Sequence, residues 1–265
     1  MGFVDDYQRD VWEQRKLLPQ YPPSGKVTVG DVLEKRDGVW KVRSNLTETG
    51  FEPKVVTSKA PDISLQSKGT VSVSASAKAD TPAGVFTQVL GEAGAEVSLS
   101  FTRDFGYAMA LSGVREAQLQ NVEALIEHIQ RTQRWHWDFS FLVVTETYTA
   151  KSSTILTTST KGASATLKAK ADVKPGGVKV AGVSGGYELT SSSQLEDKWV
   201  SESDMTPLYG VRKMKVTEII LGGSRTSPRQ GIDGPGELAD DIPLPTPERT
   251  LLSAGFEDFD PATDL

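Results

Sequence analysis

Apolar and polar residues alternate along two long regions of the chain. The alternation covers residues 69–79 and 95–103 in the first region, and residues 163–173 and 178–190 in the second. A two-residue period places one apolar and one polar face on a β-strand. We therefore predict two long β-hairpins, one within residues 69–103 and one within residues 152–190.

The apolar faces of these hairpins carry many Ala and Val residues and few large side chains, which predicts a poor filler for a globular core. Membrane-spanning hairpins use runs of about ten alternating residues, and the four runs have roughly that length. One hypothesis is therefore that these faces contact lipid in another state of the protein; the other is an ordinary antiparallel sheet with one wet face. The residues concerned are Val71, Val73, Ala75, Ala77, Val97, Leu99 and Phe101, and then Ala165, Leu167, Ala169, Ala171, Val178 and Val180.

Helical periodicity is confined to two segments. Residues 4–18 fit a short helix with acidic residues at its start, and residues 113–134 repeat apolar positions at spacings of three and four. Further strands are predicted at 26–33, 38–43, 139–148, 150–160 and 208–220. The fold class predicted is α+β: a twisted, mainly antiparallel sheet with long hairpins and a few packed helices.

The composition changes near residue 222, where Gly, Pro, Asp and Ser begin to dominate. The formal net charge is −6, and residues 223–265 hold nine acidic residues against three Arg, so the excess acid lies in this tail. We predict a body at 1–221 and a linker with a tail at 222–265. The tail ends in a short apolar and acidic peptide that contains Leu251, Leu252, Phe256 and Phe259.

Enzymatic chemistry has little support in the sequence. Cysteine is absent and only His128 and His136 are present, so Cys-based and His-rich metal sites are excluded. Residues 182–186 match the G-x-S-x-G pattern around Ser184, but the strand-like sequence that follows does not provide the helix that this motif needs. No paired carboxylates or phosphate-binding loop stand out. We predict a protein that is not an enzyme, with no cofactor, no metal and, given its negative charge, no nucleic-acid partner.

The order of elements resembles a known family. A helix, a first amphipathic hairpin, a second helix leading into Val143-Val-Thr-Glu146, a second hairpin and a closing Thr206-Pro-Leu-Tyr-Gly-Val-Arg212 strand follow one another. This order, over about residues 3–221, is similar to the pore-forming domain of the gasdermins. The tetrapeptide Val143-Val-Thr-Glu146 is the part that is close in letters.

The resemblance implies a pore-forming cell-death or defence effector of the bacterial gasdermin type. Such a protein is cytoplasmic while inactive; a protease cuts it, and it then forms a homo-oligomer that inserts hairpins into a membrane. The segment containing Leu251, Leu252, Phe256 and Phe259 is then the inhibitory tail. The implied cleavage sites are Arg225, Arg229 and Arg249, and the lysines that would meet lipid headgroups are Lys168, Lys170, Lys174 and Lys179.

The chain departs from bacterial gasdermins at one point, because those proteins typically carry an N-terminal cysteine for lipidation and this sequence has none. The alternative hypothesis is a non-enzymatic α+β module that binds a protein, with the tail as a peptide for a partner. The two hypotheses differ in whether the protein acts on lipid once the tail is removed.

Overall fold

The computed structural model describes residues 2–74, 96–132, 137–138, 140–169, 187–201, 203–217 and 253–258. Two α-helices and one 3-10 helix occur in these residues: α1 (Phe3–Arg15), the 3-10 helix (Leu46–Thr49) and α2 (Val122–Thr132). The strands of the first half are β1 (Leu18–Pro19), β2 (Asp31–Arg36), β3 (Val39–Asn45), β4 (Val55–Lys59), β5 (Ile63–Gln66), β6 (Thr70–Ser74), β7 (Glu96–Phe101), β8 (Gly106–Ser112) and β9 (Arg115–Leu119). Those of the second half are β10 (Leu142–Ala150), β11 (Ser152–Thr158), β12 (Ser164–Ala169), β13 (Tyr187–Ser193), β14 (Asp197–Ser201), β15 (Met205–Thr217) and β16 (Ser253–Asp258).

The strands form three antiparallel sheets. Sheet A has eight strands, built on the path β1-β15-β10-β2-β3, with β16 beside β15, β9 beside β10 and β4 beside β9. Sheet B has the order β14-β11-β8-β5, and sheet C has the order β13-β12-β7-β6. The predicted fold class, α+β with a mainly antiparallel sheet and few helices, is confirmed.

Sheets A and B are linked by four pairs of consecutive strands. The strands β14, β11, β8 and β5 of sheet B are followed or preceded in the chain by β15, β10, β9 and β4, which pair in the same order in sheet A. At the centre of this bend, Lys151 N–H donates to Ser112 O at 3.0 Å, and Gly113 takes a positive φ of 64°. In each of these four pairs, the chain therefore changes direction where it passes from one sheet to the other, and the four turns are neighbours.

Sheet C is joined to sheet B by four short connections. Each of its strands joins a strand of sheet B through a short connection: β5 to β6, β7 to β8, β11 to β12 and β13 to β14. The registers place all four connections at one end of sheet B, because Gln66 pairs with Ala108, and Thr158 pairs with Gly106. Sheet C thus folds back over sheet B.

The two helices pack on different parts of the sheets. Tyr7 and Val11 of α1 are fully buried against Met109 and Ile155 of sheet B. Leu125 and Ile129 of α2 pack on sheet A with Val143 and Met214. Because Val143 lies between Leu142 and Val144, which pack with Trp12 of α1 instead, α1 and α2 occupy opposite faces of sheet A.

The predicted helix at 113–134 is wrong in its first part. Arg115–Leu119 is strand β9, which pairs with β4 on one side and β10 on the other. The helix begins only after Asn121, whose side chain accepts a hydrogen bond from Lys54 N–H at 2.8 Å and donates to Glu52 O at 3.0 Å. Tertiary pairing therefore overrides a pattern that a helix would also satisfy.

Other boundaries differ less. The predicted strand at 26–33 begins only at Asp31, and the predicted strand at 208–220 is β15, which starts at Met205. Residues 218–220 lie outside the described residues. The helix predicted at 4–18 ends at Arg15, and the strands β1, β4, β5, β8, β14 and β16 were not predicted.

Candidate functional site

The two predicted hairpins meet in sheet C. Strand β7 of the first hairpin pairs with β12 of the second, with Ser100 opposite Ser164 and Glu96 opposite Lys168. The chain leaves β6 and β12 and enters β7 and β13 at the Glu96 end of this register. The tips of both hairpins, residues 75–95 and 170–186, are therefore attached at the same end of sheet C; the tips themselves lie outside the described residues.

The inner face of sheet C is buried. The side chains of Val97, Leu99, Phe101, Ala165 and Leu167 are at most 2 % exposed. They pack against the small residues Ala108 and Ala110 and against Leu156 of sheet B. The prediction that such a face fills a core poorly is wrong for this part of the hairpins, because a second sheet with small side chains lies close enough to complete the core.

The remaining predicted hairpin residues are placed only in part. Val71 and Val73 lie in β6, and Ala169 lies at the end of β12 opposite Tyr187. Ala75, Ala77, Ala171, Val178 and Val180 lie outside the described residues. Strands β6, β7 and β12 are described over five or six residues each, and each adjoins residues outside the described part of the chain.

The outer face of sheet C is polar. Glu96, Ser98, Ser100 and Lys168 are exposed, and Ser98 Oγ lies 3.3 Å from Thr166 Oγ1. Lys168, a predicted headgroup residue, is placed between Glu96 on β7 and Glu188 on β13, so carboxylates flank its charge on both sides. The other three, Lys170, Lys174 and Lys179, lie outside the described residues.

The connections between sheets B and C form a hydrogen-bonded corner, which we define as residues 67–69, 102–105, 159–163 and 194–196. Buried Ser67 accepts a hydrogen bond at Oγ from Tyr107 N–H at 3.0 Å, and Thr102 Oγ1 donates to Gly69 O at 2.7 Å. Thr158 Oγ1 donates to Gln194 O at 3.0 Å. These hydrogen bonds link the connections of several strands, and together they stabilise the packing of sheet C on sheet B.

The tail returns to the body as strand β16. Ser253–Asp258 pairs antiparallel with β15, placing Phe256 opposite Met214 and Asp258 opposite Arg212. Arg212 also pairs with Val143 of β10 on its other side, so β16 occupies the edge of β15 that faces away from β10. The sequence left open whether this peptide contacts the body; for 253–258 the structure shows that it does.

The other tail residues named from the sequence lie outside the described residues: Leu251, Leu252 and Phe259, and the arginines Arg225, Arg229 and Arg249. The three arginines nevertheless lie between β15 and β16 in the sequence. Cleavage after any of them would leave β16 attached to the body by non-covalent contacts alone.

One pair of carboxyl groups was missed by the sequence analysis. Glu116 on β9 and Glu146 on β10 share one side of the ladder; Gln118 Nε2 donates to Glu116 Oε1, and the Tyr148 hydroxyl donates to Glu146 Oε1. Burial first, and then the contact with Glu146, raise the pKa of the Glu116 carboxyl. The statement that the chain has no paired carboxylates is thus wrong, because strand pairing joins residues thirty positions apart.

An open groove runs beside this carboxyl pair. Trp12 and Lys16 of α1 line one side of it, and Glu146 and Val211 line another. Gly210 permits the close approach of Glu146, since a Cβ atom at position 210 would lie 2.9 Å from Glu146 Oε2.

The histidines and the serine motif contribute no assembled catalytic site in the described residues. His128 is 7 % exposed, and its Nε2 lies 2.9 Å from Thr49 Oγ1. His136 and Ser184 lie outside the described residues. Where the structure describes the chain, no three His, Asp or Glu side chains are grouped as metal ligands. The described helices are also too short or too polar to cross a membrane.

Comparison of the sequence with protein-family models and with curated proteins finds no match. The resemblance to the gasdermins therefore stays a prediction.

Proposed function

We propose that this protein is a gasdermin-like pore-forming effector in its resting state, with β16 as the inhibitory strand. The observation that supports the proposal best is the arrangement of sheet C. Two hairpins that are distant in the sequence lie side by side, with the strand ends that lead to their tips at one end of sheet C and their apolar face hidden. In the proposed mechanism they leave sheet B together and expose that face to lipid.

The resting state is stabilised mainly by the core between sheets B and C. Burial of a Val, Leu or Phe side chain contributes about 1.5–3 kcal/mol. For Val97, Leu99, Phe101 and Leu167 together, this amounts to roughly 10 kcal/mol. A membrane that receives the same apolar face offsets this cost, whereas water does not. Sheet C accordingly opens only at a lipid surface.

The tail strand contributes less and acts at another place. A net value of about 0.5–1.5 kcal/mol per hydrogen bond gives a six-residue strand only a few kcal/mol. Loss of β16 therefore leaves the body folded and exposes the edge of β15 from Arg212 to Thr217. An exposed edge offers unpaired N–H and C=O groups to a strand of another copy. In the proposal, this edge is where oligomer formation begins.

The non-covalent docking of β16 also explains why cleavage would act as a trigger. While residues 218–252 connect the two strands, β16 is present at a high effective concentration beside β15. After a cut at Arg225, Arg229 or Arg249, β16 is able to diffuse away. The activating protease and the membrane lipid are the partners that this mechanism requires.

The test is dye release from neutral and anionic liposomes by full-length protein with a specific protease site inserted after Arg229. We expect the cleaved protein to release dye and the uncleaved protein to release little. Equally low release by the cleaved protein, the uncleaved protein and a variant ending at Gly222, on both kinds of liposome, would refute the proposal.

A reversible cross-link tests the role of β16 directly. Lys215 and Gly255 are opposite each other in the β15–β16 ladder, a placement that brings their Cα atoms within disulfide range. Because the chain has no cysteine, Lys215→Cys/Gly255→Cys forms one defined pair. The cleaved and oxidised variant should remain inactive until a reductant is added. The cleaved Lys215→Cys single variant is the matched control and should be active throughout.

A further inference from the structure

Strand β4 is an exposed edge of sheet A. It pairs with β9 along all five of its residues, from Val55 opposite Leu119 to Lys59 opposite Arg115. Among the described residues it has no second partner strand. All five side chains are exposed, with Val55 at 42 % and Val56 at 56 %. Exposed β-branched residues on an unpaired edge are the features of a strand that can accept another strand.

The outward backbone groups of β4 follow from its pairing with β9. Lys54 O accepts from Gln120 N–H at 2.8 Å, and Ala60 N–H donates to Val114 O at 3.0 Å. Because successive residues in an antiparallel ladder alternate in direction, the even-numbered residues face β9. The N–H and C=O groups of Val55, Thr57 and Lys59 therefore point outward, and no second strand pairs with them in the described part of the chain.

Two other sheet edges in the described residues carry charges within the strand, whereas the edge strands β5 and β6 have none. Strand β3 contains Lys41 and Arg43, and β14 contains Asp197 and Lys198. Such charges are a common protection against unwanted pairing. The four residues from Val55 to Ser58 have none, while Pro53 and Lys59 bound the segment and limit a docked strand to about five residues.

The two faces of β4 differ in charge. On one face Lys59 lies beside Arg115, which donates to Asp204 at 2.8 Å, and Val55 lies beside Leu119. On the other face Ser58 lies beside Glu116. A docked strand is thus favoured when it carries an acidic residue opposite Lys59 and apolar residues opposite Val55 and Val56.

We propose that the outer edge of β4 binds an extended, acidic segment of a partner protein as an additional antiparallel strand. Main-chain hydrogen bonds to Val55, Thr57 and Lys59 supply the affinity, and the Lys59 end selects the acidic residue. A second copy of β4 fits less well, because antiparallel pairing centred on Thr57 places Val55 of one copy, and no acidic residue, opposite Lys59 of the other. This surface is independent of the hairpins and of β16.

The experiment is an NMR titration of the full-length protein with two capped peptides, Glu-Ser-Thr-Val-Val and Lys-Ser-Thr-Val-Val. Antiparallel docking places the first residue opposite Lys59 and the last opposite Val55. We expect the acidic peptide to shift the amide signals of Val55, Thr57 and Lys59 and to bind about two- to fivefold more tightly, the range of an exposed charge pair. Lys59→Glu should reverse this preference.

A backbone variant tests the docking geometry. Thr57→Pro removes an outward N–H while leaving the hydrogen bonds to β9 intact, and Thr57→Val keeps that N–H as the matched control. Binding should fall at least about tenfold in Thr57→Pro and persist in Thr57→Val. The proposal is overturned if neither peptide binds, if Lys59→Glu leaves the preference unchanged, or if the protein instead forms dimers that Thr57→Pro dissociates.

Discussion

The ring of Phe101 lies directly on the backbone of Gly106. A Cβ atom at position 106 would be 2.4 Å from Phe101 Cδ1, closer than any real packing contact. Phe101 ends β7 and Gly106 begins β8, so this contact joins sheets C and B next to the corner. It depends on glycine because no other residue leaves the space that the ring occupies.

Gly106→Ala is therefore expected to destabilise the fold by about 1–3 kcal/mol, as overpacking does. Urea denaturation measures the loss. Phe101→Leu supplies the matched test, because a smaller side chain makes room for the new methyl group. The double variant should lose less stability than the sum of the two single variants, and simple additivity would show that the two residues are not in contact.

Leu167→Ala tests the core between the two sheets. Leu167 is fully buried on the inner face of β12, and its neighbour Lys168 is exposed on the outer face. We expect a loss of about 2–5 kcal/mol for Leu167→Ala. Lys168→Ala should change the free energy of unfolding by less than about 0.5 kcal/mol. Equal effects of the two substitutions would contradict the two-layer arrangement.

The alternation in the sequence correctly predicted strands at β6, β7, β12 and β13 but said little about what covers them. The spacing marked Val97 and Leu99 as one apolar face, and Ala165 and Leu167 as another, since the period of a strand is a local property; that they share one face follows from the pairing of β7 with β12. The partner of that face, strands β8 and β11, is buried on both sides and has no alternation to detect. Strand β11 is also rich in Ser and Thr, so its composition does not indicate that it lies in the core.

The candidate sites could not be predicted from the sequence, because they are formed by strand pairing between residues that are far apart in the chain. Glu116 and Glu146 are joined only by the register of β9 with β10. Phe256 was singled out as an apolar residue in an acidic tail, but its position opposite Met214 follows from the unpaired edge of β15. The predicted helix at 113–134 was wrong in its first part for the same reason. Arg115–Leu119 pairs with β4 on one side and β10 on the other, and this pairing replaces helix formation there.

The Glu116–Glu146 pair predicts a stability that falls as pH rises. The pKa of Glu116 is raised in the folded protein, first by burial and then by Glu146. The folded state therefore binds the proton more tightly than the unfolded state does, and its stabilisation is fully present below a pH of about 4.5. This contribution is lost as the pH rises through the raised pKa.

Thermal unfolding from pH 4 to pH 8 should show that Glu116→Gln gains stability relative to the wild type at the upper end of this range. A constant difference between the two proteins would contradict the prediction.

His128 has the opposite pH dependence. The hydroxyl of Thr49 donates to Leu46 O at 2.7 Å, so Thr49 Oγ1 accepts the hydrogen of His128 Nε2 at 2.9 Å, and the neutral ring satisfies this contact. Burial, followed by the charge of Arg131, lowers the pKa of His128. Because the folded state binds the proton less tightly, the stabilisation is present above a pH of about 6.5 and is lost as the pH falls through the lowered pKa.

His128→Gln, whose side-chain amide is able to donate to Thr49, should remove this loss between pH 7 and pH 5 in urea denaturation. His136→Gln is the matched control for the second histidine. Loss of the pH dependence in His136→Gln rather than in His128→Gln would show that the buried ring does not titrate in this way.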